Sequence, residues 1–295
     1  MGRQVGQRHT QTDRGSCLKV VVTGASGFVG LHLIRSLARH GIDVTACYHS
    51  RPVRADRLVA PRRLDIASPT HCDFAAMVEA DVLFHLAWSG LPNYQSPHHT
   101  ERELPRHLKF LTRCIEAGVR RIVVTGTCLE YGMQEGELHE ALPARPVTRY
   151  GEAKHFLYQQ LRSAAAAASV SLTWCRLFYL FGDGQSPGAL YSSLRRAVEA
   201  NELEFAMSPG DQIRDFIHVD AAVESIRQLG LLKADGVFNV CSGRPQTVNE
   251  VVENWLTQWG ARISLRRGML AYPSYEPFEF WGSKARLESV LANYK

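Results

Sequence analysis

The first apolar run of the chain, Leu18–Thr23, is short, continuous and rich in β-branched residues. A strand covered on both faces reads this way. Gly24-Ala25-Ser26-Gly27-Phe28-Val29-Gly30 follows, and then Leu33, Ile34, Leu37 and Ala38 recur at helical spacing, with Gly41 where a C-cap belongs. Asp43–Tyr48 reads as a second strand, and Val82–Ala87, Ile122–Thr125 and Ser171–Arg176 as further ones. Apolar-periodic segments near 101–117 and 150–168 lie between them. Strands alternating with helices predict an α/β fold, a doubly wound parallel sheet with helices on both faces.

Beyond about residue 180 the alternation weakens, and Gly182, Gly184, Pro187, Gly188, Pro209 and Gly210 crowd the chain. This predicts a Rossmann domain over 16–178, with 213–240 returning to it. A smaller α/β substrate-binding domain then comes from 179–212 and 241–295. Residues 1–15 are polar, carry Arg3, Arg8 and Arg14, and read as a disordered tail without the apolar stretch of a secretory signal. No apolar run approaches the ~20 residues of a membrane span, so no membrane partner is expected.

The glycines lie on a strand–turn–helix, which is the context a dinucleotide site needs. Gly24 permits a tight turn, Gly27 lets the backbone approach a pyrophosphate, and Gly30 allows close helix–strand packing. Phosphates would sit at the helix N-terminus, where free N–H groups favour anions. An NAD site usually places a carboxylate at the end of the second strand, on the ribose 2′-hydroxyl. Here the stretch is Cys47-Tyr48-His49-Ser50-Arg51. Either Ser50 and Arg51 hold a 2′-phosphate, which favours NADP(H) with NAD(H) possible, or Arg51 is a solvated loop side chain. Asp65 is a candidate for the adenine edge, and Ala87 and Trp88 end a strand at the height of the cofactor.

Charge changes the picture little. Lys and Arg number 34 against 29 Asp and Glu, a net +5 that suits an anionic substrate. Nucleic acid would need clustered basic stripes interleaved with aromatics, so it is not an expected partner. The seven cysteines, at 17, 47, 72, 114, 128, 175 and 241, form no CxxC and no zinc spacing. No metal is expected, and the thiols read as free in a reducing cytoplasm.

Tyr150 and Lys154 lie four apart in Tyr-Gly-Glu-Ala-Lys, on one face of a helix. An ammonium nearby stabilises tyrosinate, so the phenol is expected to fall toward working pH and to exchange a proton with a carbinol oxygen. The segment Thr125-Gly126-Thr127-Cys128-Leu129-Glu130-Tyr131-Gly132 precedes it and leaves a strand, which places Thr127 to hydrogen-bond the reacting oxygen.

With GASGFVG, HLA, TGTCLEYG, YGEAK, RLFYLFG and RDFIHVD in this order, the chain over 18–295 resembles the extended short-chain dehydrogenases/reductases, the NAD-dependent epimerase/dehydratase family. That group contains nucleotide-sugar epimerases, dehydratases and ketoreductases. The resemblance implies Thr127, Tyr150 and Lys154 as the catalytic set, with Lys154 also on the nicotinamide ribose. It implies a cofactor site of Gly24, Ser26, Gly27, Phe28, Val29, Gly30, Ser50, Arg51, Asp65, Ile66, Leu86, Ala87, Trp88, Thr125, Tyr150, Lys154 and Phe178. Thr127, Tyr179 and Arg214 would touch substrate, Arg214 at the diphosphate; its alternative is a structural ion pair with Asp215 or Asp220. A homodimer through the helices near 101–117 and 150–165 is also implied.

Departures narrow the subclass. Where the 4,6-dehydratases carry an Asp-Glu pair after the catalytic Thr, this chain has Cys128 and Leu129. Cys128 is one residue off the register of the epimerase-reductase cysteine and is expected to pack. Tyr179 stands where an Asn is usual. The stretches HLAWSGLPNY and GTCLEYG look most like 4-ketoreductases of nucleotide-linked 4-keto-6-deoxyhexoses, in bacterial surface-polysaccharide, lipopolysaccharide and O-antigen pathways. A 4-epimerase with bound NAD is the alternative, and a non-catalytic dinucleotide-sensing scaffold a third reading that the Tyr–Lys pair disfavours.

Overall fold

The computed structural model describes residues 18–293, so the expected tail at 1–15 and Cys17 lie outside the described residues. Along the chain run β1 (Lys19–Thr23), α1 (Phe28–Arg39), β2 (Asp43–Tyr48), β3 (Val59–Arg63), α2 (His71–Val78) and β4 (Val82–His85). A π-helical turn, His99–Glu103, leads into α3 (Leu104–Ala117), and β5 (Arg121–Thr127) ends in a 3-10 turn, Cys128–Glu130. Then come β6 (Gly136–Leu138), α4 (Arg149–Ala167), β7 (Ser171–Leu177), β8 (Tyr179–Phe181), α5 (Leu190–Glu199), β9 (Glu204–Ala206) and β10 (Ile213–His218). The described chain closes with α6 (Val219–Leu231), β11 (Gly236–Val240), β12 (Pro245–Thr247), α7 (Val248–Trp259), β13 (Ser264–Arg266), β14 (Phe280–Gly282) and α8 (Ala285–Ala292).

The continuous apolar strands are buried because helices cover both faces of one sheet. Its seven strands, all parallel, run β11-β7-β5-β4-β1-β2-β3. On one face Leu33, Ile34 and Leu37 of α1 meet Val223 and Ile226 of α6 and Leu287 of α8. On the other, Met77 of α2, Phe110 and Leu111 of α3 and Leu157 and Leu161 of α4 pack against Leu83, Ile122 and Trp174. Strand order reverses between β1 and β4. In such sheets the crevice outside the carboxyl ends at that point is the ligand site.

Small sheets stand over those carboxyl ends: β12-β10-β8, β13-β9 and β14-β6. A separate core of Leu194, Met207, Val252 and Trp255 joins α5 and α7 to them. The predicted strand at Asp43–Tyr48 matches β2 residue for residue. Two segments lie elsewhere than the sequence reading put them. β10 pairs with β8 and β12, so re-entry to the main sheet begins with α6 and is completed by β11. α8 belongs to the main core rather than to the small sheets, because Leu287 is buried beside α6. Among the described residues no helix is long and apolar enough to cross a membrane.

Candidate active site

The glycine turn sits at the switch point. Gly24 has φ +72°, and a Cβ there would lie 2.6 Å from Ala87 N and 2.8 Å from the Leu86 carbonyl carbon. The chain leaving β4 therefore presses directly on the turn with Leu86 and Ala87, and Trp88 follows beside Lys154. A Cβ on Gly30 would overlap the Gly24 carbonyl oxygen and come within 2.8 Å of Ala25 Cα, so this glycine packs α1 against the turn itself. Gly27 is the N-cap of α1 and carries no side-chain cap bond, so the first-turn N–H groups of Phe28, Val29 and Gly30 are left for an anion. A turn closed to side chains at the mouth of an uncapped helix fits a dinucleotide pyrophosphate.

Arg51 reaches back over this turn, where its Nη2 donates to Ser26 O at 3.2 Å. Ser50 is exposed beside it. Asp65 closes a local turn by accepting from Ala67 N at 2.9 Å, and Ile66 leans on the core beneath α2. Phe178 is buried with Cys128, Tyr131, Cys241 and Phe280, beyond the end of β7.

Tyr150 and Lys154 occupy the first turns of α4. Thr148 caps this helix by accepting from Gly151 N at 3.0 Å, and Tyr150 N donates to Tyr94 O at 3.0 Å. Lys154 is 1% exposed; its Nζ donates to Thr125 O at 2.9 Å and stands 3.9 Å above the Trp88 ring. Burial holds this ammonium down to about 7, against the opposing pull of Glu130 and Glu103. Tyr150 departs from the sequence expectation. Its phenol is not lowered: burial pushes it well above 10, with Tyr94, Glu130 and Cys128 adding to the shift. The ammonium is committed to Thr125 and Trp88 and lies 5.8 Å from the Tyr150 ring centroid.

Thr127 ends β5. Its Oγ1 accepts from Leu129 N at 3.2 Å, so the hydroxyl proton remains for an outside acceptor. Glu130, which sequence reasoning passed over, fixes this corner from below. Its Oε1 accepts from Thr127 N and from Trp174 Nε1, each at 2.9 Å, and its Oε2 from Arg176 Nε at 3.0 Å. Gly126 makes room for it, since a Cβ there would overlap Trp174 Nε1 and Glu130 Oε1. An acidic residue inside an otherwise apolar turn was the available signal.

Arg214 and Tyr179 form the opposite wall. The Arg214 guanidinium is buried, donates to Ile213 O and Phe278 O, and pairs with Glu276 at 3.0 Å. It does not pair with Asp215 or Asp220. Asp215 accepts from Ser242 N and Gly243 N, and Asp220 from His32. Tyr179 packs between Phe216 and Phe280, with its hydroxyl buried near Glu276 and without a well-formed hydrogen bond among the described residues. Burial drives the Cys128 thiol far up, so it stays protonated and inert at neutral pH.

With a dinucleotide on the glycine turn supplying or accepting hydride, the residues around it can carry the proton and orient the carbonyl. The profile of the NAD dependent epimerase/dehydratase family matches residues 20–241. A dTDP-6-deoxy-L-talose 4-dehydrogenase (NAD(+)) of Aggregatibacter actinomycetemcomitans is 26% identical, over 90% of this chain and 100% of that one. A UDP-glucose 4-epimerase of Azospirillum brasilense is 27% identical, over 79% of this chain and 75% of its own. The solved structure of MoeE5 in complex with UDP-glucose and NAD superimposes with a TM-score of 0.80 at 28% identity, over 93% of this chain and 92% of that one. The parallel sheet, the glycine turn at its switch point and a family match across most of the chain agree: this protein belongs to the NAD dependent epimerase/dehydratase family.

Proposed function

We propose that this enzyme is an NAD(P)H-dependent reductase of a nucleotide-linked 4-keto-6-deoxyhexose. The observation that carries the reading is the trio Thr127, Tyr150 and Lys154 beside a position 128 that cannot act as acid or base. Reduction needs one hydride and one proton. The Tyr150 phenol, kept protonated by burial, gives its proton to O4 while the free Thr127 hydroxyl holds that oxygen. Lys154 holds the nicotinamide ribose. Dehydration would need acid–base groups where Cys128 and Leu129 stand. The names of two relatives support the choice: a 4-dehydrogenation run backwards is a 4-keto reduction, and both 6-deoxytalose 4-dehydrogenases align over at least 90% of this chain.

A second reading, 4-epimerisation with retained NAD, draws on the Azospirillum enzyme. It uses the same trio but returns the hydride to the opposite face. A panel of nucleotide-linked 4-keto-6-deoxy sugars, followed by the absorbance of the reduced cofactor, separates the two. The reductase oxidises cofactor with at least one member; a panel that leaves it untouched removes this reading.

NADP(H) preference rests on Arg51, which lies over the turn in place of a carboxylate; the 6-deoxy-L-talose 4-dehydrogenase is named for NAD(+), and the MoeE5 complex holds NAD. Arg51→Ala weakens NADPH far more than NADH if the guanidinium takes the 2′-phosphate. Equal losses would assign the site to NAD. Arg214 and Tyr179 are proposed against the substrate, Arg214 at the diphosphate with Glu276 displaced. A homodimer through α3 and α4, the latter exposing Phe156, completes the proposal. The six described cysteines are free, which fits a cytoplasmic enzyme.

A further inference from the structure

Beneath the crevice runs a chain of buried polar groups that the proposed chemistry does not use. Thr23 Oγ1 lies 2.8 Å from His85 Nδ1, His85 Nε2 2.7 Å from His107 Nδ1, and His107 Nε2 3.2 Å from Glu103 Oε2. His85 and His107 have 1% and 0% of their surface exposed, and Glu103 3%.

Every proton in this chain can be placed. Glu103 is a carboxylate, its pKa held at about 2 against burial by His107 and Ser89. It only accepts, so His107 Nε2–H donates to it. Burial keeps both imidazoles neutral. His107 Nδ1 therefore accepts from His85 Nε2–H, and His85 Nδ1 from the Thr23 hydroxyl. One carboxylate thus orients two histidines and ends on the residue before Gly24.

The chain converges on Trp88. The His107 ring stacks on the indole at 4.5 Å and 19°. Glu103 Oε2 also accepts from Ser89 N at 2.9 Å, which pins the backbone beside Trp88. The indole N–H donates to His99 Nδ1 at 3.1 Å, and His99 Nε2 then donates to Asn93 O at 2.8 Å. The Lys154 ammonium stands over the same ring, 3.9 Å from its centroid. Its one hydrogen-bond partner of those described, Thr125 O, is a neutral carbonyl. Glu103 and Glu130 act on it only through space.

We infer that Trp88 is the counter-surface of the Lys154 ammonium, and that Glu103, His107 and His99 are positioning residues that hold the indole under it. The inference rests on Lys154 belonging to the catalytic set. Physically, an ammonium over the face of an indole is attracted by the ring quadrupole, most strongly when water is excluded. A neutral His107 stacked on that indole leaves the attraction intact, whereas an imidazolium would oppose it. The groups facing Lys154 are then Trp88 and Tyr150 as rings, Glu103 and Glu130 as distant anions, and His85, His99 and His107 as neutral imidazoles.

The test reads Lys154 itself. The chain has six lysines: Lys19, Lys109, Lys154, Lys233, Lys284 and Lys295. Protein labelled with 13C at lysine Cε gives one signal for each, and Lys154→Arg identifies that of Lys154. Trp88→Leu removes the quadrupole and is expected to weaken proton binding at Lys154 about tenfold, one pH unit downward. Trp88→Phe keeps an aromatic face and holds the titration within about threefold of the native protein. Because Phe and Leu both remove the indole bulk and its N–H, a purely structural role moves them alike. A Leu variant in which Lys154 titrates at the native pH or higher overturns the inference, as does a Phe variant displaced as far as Leu. The titration needs no substrate, so a failed reductase assay and a failed Trp88 role are told apart.

Discussion

Replacing Glu130 by Gln tests the support under Thr127 most sharply. The residue is fully buried, as is all but 3% of its partner Arg176. The amide keeps an oxygen for Thr127 N and Trp174 Nε1. Its NH2 group, however, now faces the Arg176 Nε–H, donor against donor, and the guanidinium loses its only described carboxylate. Breaking a buried pair by removing one partner costs about 3–5 kcal/mol. Removing both charges is close to neutral when the volume is refilled. Arg176 lies over the Tyr131 ring at 4.4 Å, a place where a methionine thioether packs well. Glu130→Gln should therefore lower urea-unfolding stability by about 4 kcal/mol, and adding Arg176→Met should recover most of it. Glu130→Leu with Arg176→Met removes the same ion pair but strips Thr127 N–H and Trp174 N–H of their acceptor. Each unmade bond costs ~1–3 kcal/mol, and turnover falls as the Thr127 corner loosens. A loss below 1 kcal/mol for Glu130→Gln, or no recovery with Arg176→Met, would refute this account of the corner.

Gly30→Ala, whose methyl overlaps Gly24 O, should weaken dinucleotide binding at least tenfold in a fluorescence titration; Gly188→Ala, with open space around it, is the control and should leave it unchanged. Tyr150→Phe keeps the ring and deletes the proton, so turnover should drop ~10²–10⁴ with cofactor affinity unchanged, and native turnover would move the proton donor to Thr127 or Tyr131. Glu103 is lowered from 4.5 to about 2, so the unfolded chain binds the extra proton between those values. Its stabilisation, about 3 kcal/mol at most, is complete above pH 4.5 and is lost as pH falls through 2; Glu103→Gln should flatten acid unfolding in that window, and an unaltered acid limb would count against the buried chain. If a substrate diphosphate displaces Glu276 from Arg214, Glu276→Gln should lower the KM for nucleotide sugar roughly tenfold, while an unchanged KM leaves Arg214 structural.

Five strands of the main sheet, β1, β2, β4, β5 and β7, are legible from their apolar, β-branched runs; the edge strand β3, with Ala60, Pro61 and Arg63 exposed, and β11, interrupted by Asn239, carry no such signal. The apolar run Val82–Ala87 extends two residues beyond β4, because Leu86 and Ala87 are as apolar as the strand but leave it to lie against the glycine turn. The three-residue strands β6, β8, β9, β12, β13 and β14 are too short to show a period. The segment near 101–117 reads as one helix, and its pattern gives no sign of the π-helical turn, His99–Glu103, that sets Glu103 beside Trp88. The glycine turn and the Tyr–Lys pair are local patterns and could be read directly. Partners far apart in sequence could not: Thr23 and His85 are 62 residues apart, and Glu130 and Arg176 are 46 apart. The expected lowering of Tyr150 failed for the same reason. Spacing put an ammonium near the phenol, but only the fold showed that Thr125 and Trp88 take it first.

The central claim is net reduction at C4, and stoichiometry tests it most directly. Purified enzyme is mixed with a nucleotide-linked 4-keto-6-deoxyhexose and reduced cofactor deuterated at the transferable position. Cofactor oxidised is then compared with ketone lost, and the product is read by NMR. Reduction predicts one cofactor oxidised per ketone and deuterium at C4 of the product. Ketone and cofactor both left unconsumed, with the same enzyme interconverting two supplied C4-epimeric nucleotide hexoses without added cofactor, would contradict it and favour the epimerase.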